Sequence, residues 1–221
     1  VQGSMKLSQP FEIHLEYVQR MMVWLLFTDL NRVHQLHAMQ LGLGAASLTK
    51  FCYQKLQMQT TAVELNPQVI ATCRHSFHLP EDNARLQVLN EDAADIARNE
   101  EWQGKIDVLQ VDLYDHEAAR PVLDSEAFYQ NCRSLLRPQG CMVVNLFGHT
   151  FEYKKSLENI MAAYGEDTVW AFKPTTAGNT IVLAFHTPQL VDERFLLSQA
   201  QQIQARWSLP STKWIKALAR A

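Results

Sequence analysis

The sequence lacks several features that would indicate special chemistry or a special location. Its four cysteines form no Cys-x-x-Cys pair and have no histidine cluster beside them, which argues against zinc and predicts buried free thiols. No apolar run reaches the roughly 18 residues that span a membrane, and a net charge of −3 gives no electrostatic reason to bind nucleic acid. We therefore expect no metal, no membrane, no nucleic acid partner and a reducing, cytoplasmic location.

The most informative stretch runs from residue 36 to residue 64 and has the order strand, glycine turn, helix, strand. The first apolar run ends in Gly42-Leu43-Gly44, a helical pattern covers about Ala45 to Gln57, and the second apolar run ends at Glu64. This order predicts the nucleotide-binding half of a doubly wound sheet, in which the glycines let the backbone approach a ligand and the acid binds a ribose. The alternative is a tight turn without a ligand.

The turn also lacks the third glycine of the dinucleotide fingerprint, since it reads Gly-Leu-Gly-Ala-Ala-Ser from Gly42. A pyrophosphate would prefer more exposed backbone amides at this place. We therefore predict a nucleoside ligand without a pyrophosphate, either S-adenosylmethionine or its decarboxylated form, acting as a group donor.

Seven strand patterns alternate with helical patterns and end in a pair without an intervening helix. They lie at residues 36–43, 61–63, 85–89, 105–111, 141–147, 167–172 and 180–185. The fold class is therefore α/β: a Rossmann-like, seven-stranded sheet of the S-adenosylmethionine-methyltransferase type, with helices on both faces and a C-terminal antiparallel hairpin.

Three regions follow from this order. We expect residues 1–35, with one helix over Glu12–Phe27, to cover the ligand cleft, and residues 36–188 to form the Rossmann-like nucleoside-binding catalytic domain. Residues 189–221 are expected to form terminal helices, the last over Ser211–Ala221. Pro138-Gln139-Gly140 is expected to turn the chain before the fifth strand.

Polar groups follow four of the predicted parallel strands, whose carboxyl ends meet at one edge of the sheet: the Gly42 turn, Glu64, Asp92 and Asp112 with Asp115. Asp92 could accept a hydrogen bond from an adenine amino group, and Ala93 could offer the ring a backbone amide. The residues that we predict to bind the nucleoside donor are Gly42, Leu43, Gly44, Glu64, Leu65, Asp92 and Ala93.

Asp112 and Asp115 follow the fourth strand and are the candidate catalytic residues. An alkylammonium has a pKa of roughly 10.4, so an amine becomes a nucleophile at neutral pH only if a base takes its proton. We therefore expect a small-molecule amine substrate, held by one carboxylate and deprotonated by the other. The alternative is that Asp112 caps the next helix and Asp115 is solvated.

These motifs resemble the spermidine synthase (polyamine aminopropyltransferase) family over roughly Glu16 to Phe147. The segments that carry the resemblance are Leu41–Gly44, Val63–Pro67, Asn90–Ala93, Val111–Asp115, Phe128–Cys132 and Leu135–Cys141. The resemblance implies transfer of an aminopropyl group from decarboxylated S-adenosylmethionine to a polyamine such as putrescine, by an enzyme that often forms homodimers. It also implies that Glu64 binds ribose and Asp92 adenine. Asp112 would be the acid-base residue, and Asp115 would hold the diamine.

The chain departs from the family pattern at three places, one of which is the small β domain expected before the core, which is absent or reduced to Val1–Met5. The other two concern the donor and the substrate. Ala45 stands where the family's glycine loop has an aspartate, and Gln19–Leu25 contains neither the tyrosine nor the histidine that the family carries near its substrate. Ala45 leaves room for a different cofactor tail, so an S-adenosylmethionine-dependent methyltransferase is one alternative. The missing substrate residues suggest another, a non-catalytic nucleoside-binding descendant, although the pairing of Asp112 with Asp115 argues against it.

Overall fold

The strands belong to one eight-stranded sheet in the computed structural model, which describes residues 3–114, 123–147, 150–190 and 192–221. In chain order the strands are β1 His37–Leu41, β2 Gln59–Val63, β3 Leu86–Leu89, β4 Ile106–Val111, β5 Leu136–Phe147, β6 Val169–Phe172, β7 Asn179–Phe185 and β8 Leu218–Arg220. Across the sheet the order is β3-β2-β1-β4-β5-β7-β6-β8. The first five strands are parallel, and β7, β6 and β8 each run antiparallel to the preceding strand in that order.

The sheet reverses its order at β1, which pairs with β2 on one side and with β4 on the other. All five residues of β1 are buried, as expected of a central parallel strand covered on both faces. In open α/β sheets the crevice at such a reversal, beyond the carboxyl ends of the strands, is where ligands bind. Gly42 and Asp112 directly follow β1 and β4, so both stand at this crevice.

Helices cover both faces of the sheet, as predicted. They are α1 Glu16–Arg20, α2 Ser47–Lys50, α3 Pro67–Ser76, α4 Ala93–Arg98, α5 Glu126–Leu135, α6 Thr150–Tyr164, α7 Glu193–Trp207 and α8 Ser211–Trp214. One apolar core contains Trp24 and Ile203, and a second, on the other face, contains Ile96 and Ile160. Within the described part of the chain, no helix combines the length and the apolarity that crossing a membrane requires.

The predicted count of seven strands is wrong by one, because the chain ends in a strand and not in a helix. The predicted helix Ser211–Ala221 stops at Trp214, and Leu218–Arg220 forms β8 against β6. There Arg220 pairs with Trp170, and its guanidinium carbon lies 5.4 Å from the centre of the Trp170 ring. The open edge of β6 thus overrides the helical preference of the Ala-rich terminus.

Two other predicted helices are interrupted. The helix predicted over Glu12–Phe27 consists of α1 and a separate 3₁₀ turn, Val23–Phe27. All six residues from Met21 to Leu26 are fully buried, and a regular α-helix at the edge of a core could not bury six consecutive side chains. The helix predicted over Ala45–Gln57 begins at Ser47 and continues after α2 as a π-helical turn, Phe51–Lys55.

The predicted turn at Pro138-Gln139-Gly140 lies inside β5. Ile106 of β4 pairs with Leu136, whereas Val108 pairs with Cys141, so the residues between them bulge out of the ladder. The turn-forming residues therefore create an irregularity within the strand instead of ending it. β5 consequently begins five residues earlier than the predicted start at Cys141.

Candidate functional site

The glycine turn packs directly against the end of β4. The amide of Gly42 donates to the carbonyl oxygen of Val63 at 2.9 Å, and the amide of Asp112 donates to that of Leu41 at 3.0 Å. Gly42 has a φ of +92°, and a Cβ atom at this position would lie 2.4 Å from the carbonyl oxygen of Asp112. No other residue fits this contact. The turn is therefore held against the candidate catalytic residue by backbone packing.

Glu64 joins the turns that follow β1 and β2. Its Oε2 accepts from the amide of Leu43 at 3.1 Å, and its Oε1 accepts from the amide of Asn66 at 2.9 Å. A carboxylate has about four acceptor positions, so these two bonds fix the group and leave capacity for the hydroxyls of a ribose. The structure thus places Glu64 beside the glycine turn, and its contact with a ribose remains a prediction.

Leu65 and the loop after β3 form the next part of this edge. Leu65 is 67% exposed, so its apolar side chain is accessible at this edge. The side-chain amide of Asn90 donates to the carbonyl oxygens of Glu64 and Leu65, both at 2.9 Å. These bonds hold the loop that precedes Asp92 against the loop that contains Leu65.

Asp92 is the N-cap of α4, since its Oδ1 accepts from the amide of Ala94 at 2.7 Å. The side chain of Asp92 is exposed, whereas Ala93 is buried against the sheet. Capping by itself accounts for an aspartate at this position. The two residues lie at the predicted edge, and their contact with a nucleoside remains a prediction.

Asp112 lies partly buried at the end of β4 and is bound to the neighbouring strand. Its Oδ1 accepts from the side-chain amide of Asn145, on β5, at 2.8 Å. Burial raises the pKa of Asp112 to about 6, although the hydrogen bonds from Asn145 and Tyr17 oppose that change. Ser125, and not Asp112, caps α5, the next described helix. Asp112 therefore does not cap α5.

Tyr17 is the site residue that the sequence did not reveal. Its hydroxyl lies beside the carboxylate of Asp112 and stabilises the ionised form, while burial and then the charge of Asp112 raise the pKa of Tyr17. The stretch compared with the family pattern, Gln19–Leu25, begins two residues beyond Tyr17. A signal was present, because Tyr17 carries a polar group on the otherwise apolar face formed by Ile13 and Met21.

A small cleft separates α1 from the glycine turn. We call it the donor cleft, and its lining includes Leu15, Tyr17, Leu43, Ala45, Leu48 and Asp112. Gly3 also lies here, and a Cβ atom on it would come within 2.5 Å of that of Ala45. Among the described lining residues, Asp112 is the one acid and there is no lysine or arginine. As far as the structure describes it, the donor cleft is therefore lined mainly by glycines and apolar side chains around one carboxylate.

Part of the predicted site falls outside the described residues. Asp115, the second candidate catalytic residue, belongs to residues 115–122, so its pairing with Asp112 stays a prediction. All four cysteines are buried and free, as predicted. Among the described residues, no group of three or more His, Cys, Asp or Glu side chains could hold a metal ion.

Comparisons with known proteins show which sequences this chain is similar to. The spermine/spermidine synthase domain family matches residues 42–191. The polyamine aminopropyltransferase of Chromobacterium violaceum is 30% identical over 220 residues, which make up 99% of this chain and 82% of that protein.

Two crystal structures share the fold. Human methyltransferase-like protein 13, in complex with SAH, superposes with a TM-score of 0.78 at 21% identity, covering 88% of this chain and 93% of that chain. A probable spermidine synthase from Corynebacterium glutamicum superposes with a TM-score of 0.74 at 21% identity, covering 95% of this chain and 79% of that chain. The predicted methyltransferase-type α/β fold is confirmed.

Proposed function

Because the chain belongs to the spermine/spermidine synthase family, we propose that it transfers an aminopropyl group from decarboxylated S-adenosylmethionine to a polyamine such as putrescine. The observation that carries the proposal is the position of Asp112. Its carboxyl group stands at the glycine turn, beside Tyr17 and bound to Asn145, in a cleft that is otherwise mostly apolar.

The nucleoside part of the donor would bind along the carboxyl ends of β1, β2 and β3. Glu64 would accept from the ribose hydroxyls, since the amides of Leu43 and Asn66 already hold its two oxygens in place. Leu65 would pack against the adenine ring, with Asp92 and Ala93 at its edge. Gly42 and Gly44 would let the backbone approach the ribose and the sulfur.

The donor tail would lie in the donor cleft next to Asp112. Intact S-adenosylmethionine carries a carboxylate there, and no lysine or arginine among the described lining residues could pair with it. Asp112 would repel that carboxylate, whereas the decarboxylated donor brings only an ammonium group. This electrostatic difference favours the decarboxylated donor over the methyltransferase alternative.

The chemistry requires a neutral acceptor amine. With a pKa of about 6, Asp112 is mostly ionised at neutral pH and can take a proton from the acceptor ammonium. The nitrogen lone pair then forms a bond to the aminopropyl carbon attached to the sulfonium. The carbon–sulfur bond breaks with its electron pair going to sulfur, which releases neutral methylthioadenosine, and Asp112 passes its proton to water.

The remaining predictions belong to the same proposal. Asp115 would hold the far ammonium of the diamine. Residues 36–188 would form the nucleoside-binding catalytic domain, residues 1–35 would cover the cleft, and residues 189–221 would complete the fold. We also propose a cytoplasmic homodimer without a nucleic acid partner.

Calorimetric titration with decarboxylated S-adenosylmethionine, S-adenosylmethionine and methylthioadenosine, side by side, tests the function. We expect preference for the decarboxylated donor or methylthioadenosine, and formation of spermidine when putrescine is added. Preference for intact S-adenosylmethionine would instead favour a methyltransferase, in keeping with Ala45 at the glycine turn. No binding of any of the three would favour a non-catalytic descendant.

A further inference from the structure

Asp112 is bound to an asparagine that is itself bound to a second asparagine from a distant hairpin. We propose that Asn145 and Asn179 form an amide relay that positions the Asp112 carboxylate, with Asn179 setting which end of the Asn145 amide faces it. Both are assigned as positioning residues. The hydrogen bonds of the relay do not depend on the proposed function, whereas its role in catalysis does.

The first link of the relay is Asn145, near the end of β5. Its side chain is only 4% exposed, its Nδ2 donates to Asp112 Oδ1 at 2.8 Å, and its Oδ1 accepts from Asn179 Nδ2 at 3.1 Å. Its carbonyl oxygen also accepts from the hydroxyl of Tyr114 at 2.7 Å. Asn145 is therefore bound through both its backbone and its side chain.

The second link is Asn179, the first residue of β7. In the antiparallel ladder Asn145 pairs with Ile181 and Phe147 pairs with Asn179, so the two asparagines are diagonal neighbours on one face of the sheet. The amide of Asn179 donates to Thr175 Oγ1 at 3.0 Å, and its carbonyl oxygen accepts from the amide of Thr175 at 2.7 Å. The turn between β6 and β7 thus holds Asn179 in position.

This turn is seated closely against the end of β5. Gly178 has a φ of +93°, and a Cβ atom on it would lie 3.2 Å from Cε2 of Phe147. A larger residue at Gly178 would strain the turn and push it away from Phe147. The close approach keeps Asn179 within reach of Asn145.

The chemistry of the three groups sets the direction of the relay. An ionised carboxylate only accepts hydrogen bonds, so Asn145 must present its NH₂ group to Asp112. Its oxygen then faces Asn179, which must present its own NH₂ group. Without the donor at Asn179, the Asn145 oxygen loses its partner, and only the bond to Asp112 still opposes rotation of the Asn145 amide.

The relay gives Asp112 a fixed orientation and a donor that stabilises its charged form. Burial alone would raise the pKa of this carboxyl further, and the Asn145 bond opposes that rise. Loss of the relay should therefore move the acid limb of the pH profile of kcat/KM to higher pH. It should also lower kcat more than it raises KM, because the base would no longer be aligned.

The test compares Asn145→Leu, Asn179→Leu and Asn179→Asp with the matched control Asn159→Leu. Asn159 also donates through Nδ2, to the carbonyl oxygen of Asp124 at 2.7 Å, but lies outside the relay. We expect both Asn145→Leu and Asn179→Leu to raise the pKa of Asp112, by about one unit for Asn145→Leu, and Asn159→Leu to leave it unchanged. The pKa is read from a ¹³C carboxyl NMR titration, with the Asp112 signal assigned by its loss in Asp112→Asn.

Asn179→Asp tests for a packing effect, because aspartate keeps the volume of asparagine but an ionised aspartate cannot donate to Asn145. Its charge also raises the Asp112 pKa directly, so its effect is compared with that of the uncharged Asn179→Leu. We expect it to change the Asp112 titration at least as much as Asn179→Leu does. If either leucine variant fails to fold, an unchanged Asp112 pKa in Asn179→Asp still overturns the relay. An unchanged Asp112 pKa in the folded Asn179 variants would overturn the relay. The NMR titration needs no turnover, so a chain without transfer activity would refute the proposed function while the relay is still tested.

Discussion

The two halves of the candidate site are built in different ways. One half, which we propose to bind the nucleoside, lies around the partly buried Glu64 and the exposed Leu65, and is held by backbone amides of residues next to the strand ends. The Asp112 half is also partly buried, but it is held by side chains distant in sequence, from α1, β5 and the β6–β7 hairpin. The first half depends on local turns, and the second depends on the docking of three separate elements.

This difference has a consequence for binding and catalysis. A group held by its own turn can bind a ligand even when the surrounding packing changes. A buried carboxyl whose orientation depends on several side chains loses its alignment when any of them is altered. We therefore expect substitutions around Glu64 to change affinity and substitutions around Asp112 to change turnover, and four experiments test this separation.

The largest effect is expected for Asp112→Asn. Removing the base should reduce kcat by ~10²–10⁴-fold, because the acceptor amine then stays protonated. Binding of methylthioadenosine should persist, since the nucleoside half is unchanged. Steady-state kinetics and calorimetry on the same preparation measure both quantities, and full activity in this variant would remove the catalytic role.

The same substitution should stabilise the fold at neutral pH. The folded-state pKa of Asp112, about 6, is above its usual value of 3.8, so between these pH values the native state binds more protons than the unfolded state. Stability from this group is therefore lost as the pH rises from about 4 to 6. Asp112→Asn should gain up to about 3 kcal/mol over the parent at pH 8 relative to pH 4.

Urea unfolding of the parent chain and of Asp112→Asn at both pH values measures this gain. Burial lowers the pKa of His37 to about 4, so His37 also titrates in this range, with the opposite effect on stability. The comparison at each pH cancels that contribution, which is common to both chains. An equal difference in stability at pH 4 and pH 8 would contradict the raised pKa of Asp112.

A smaller effect is expected for Glu64→Gln. The amide keeps the size of the side chain but loses the charge and one acceptor group, so nucleoside affinity should fall about 10–100-fold, as for loss of hydrogen bonds to a charged group. At saturating donor, kcat should stay within a few-fold of the parent value. Asn90→Ser, which alters only the neighbouring loop anchor, is the control. A loss of kcat as large as that of Asp112→Asn would break the separation between the two halves.

The positions of the residues around Glu64 followed from the sequence more fully than those of the residues around Asp112, for a physical reason. Glu64 and Asp112 are both recognisable as polar residues after buried strands, and the glycine turn identifies which strand ends meet. Tyr17, Asn145 and Asn179 carry no such mark, because their positions depend on how α1 docks and on the β5–β7 register. Those are properties of the assembled sheet.

The same distinction applies to the fold. The parallel strands followed from their apolar runs, whereas β8 and the interruption after α1 did not. Leu218–Arg220 becomes a strand only because β6 offers an open edge, and Met21–Leu26 leaves the helix because the core takes up every side chain. Local preference favours a helix in both places, and tertiary packing decides otherwise.

The smallest of the four effects is expected for Tyr17→Phe, which probes the border between the two halves. The phenol stabilises the ionised Asp112, so its removal should raise the pKa of that carboxyl and shift the acid limb of kcat/KM upward. For a rise of about one unit we expect about a twofold loss of kcat/KM at pH 7, which grows to about tenfold near pH 5 and disappears at higher pH. Tyr53→Phe, at a tyrosine that contacts Arg85 and Asn83 away from the donor cleft, is the control. A loss that does not change with pH would mean that Tyr17 shapes the donor cleft without acting on the charge of Asp112.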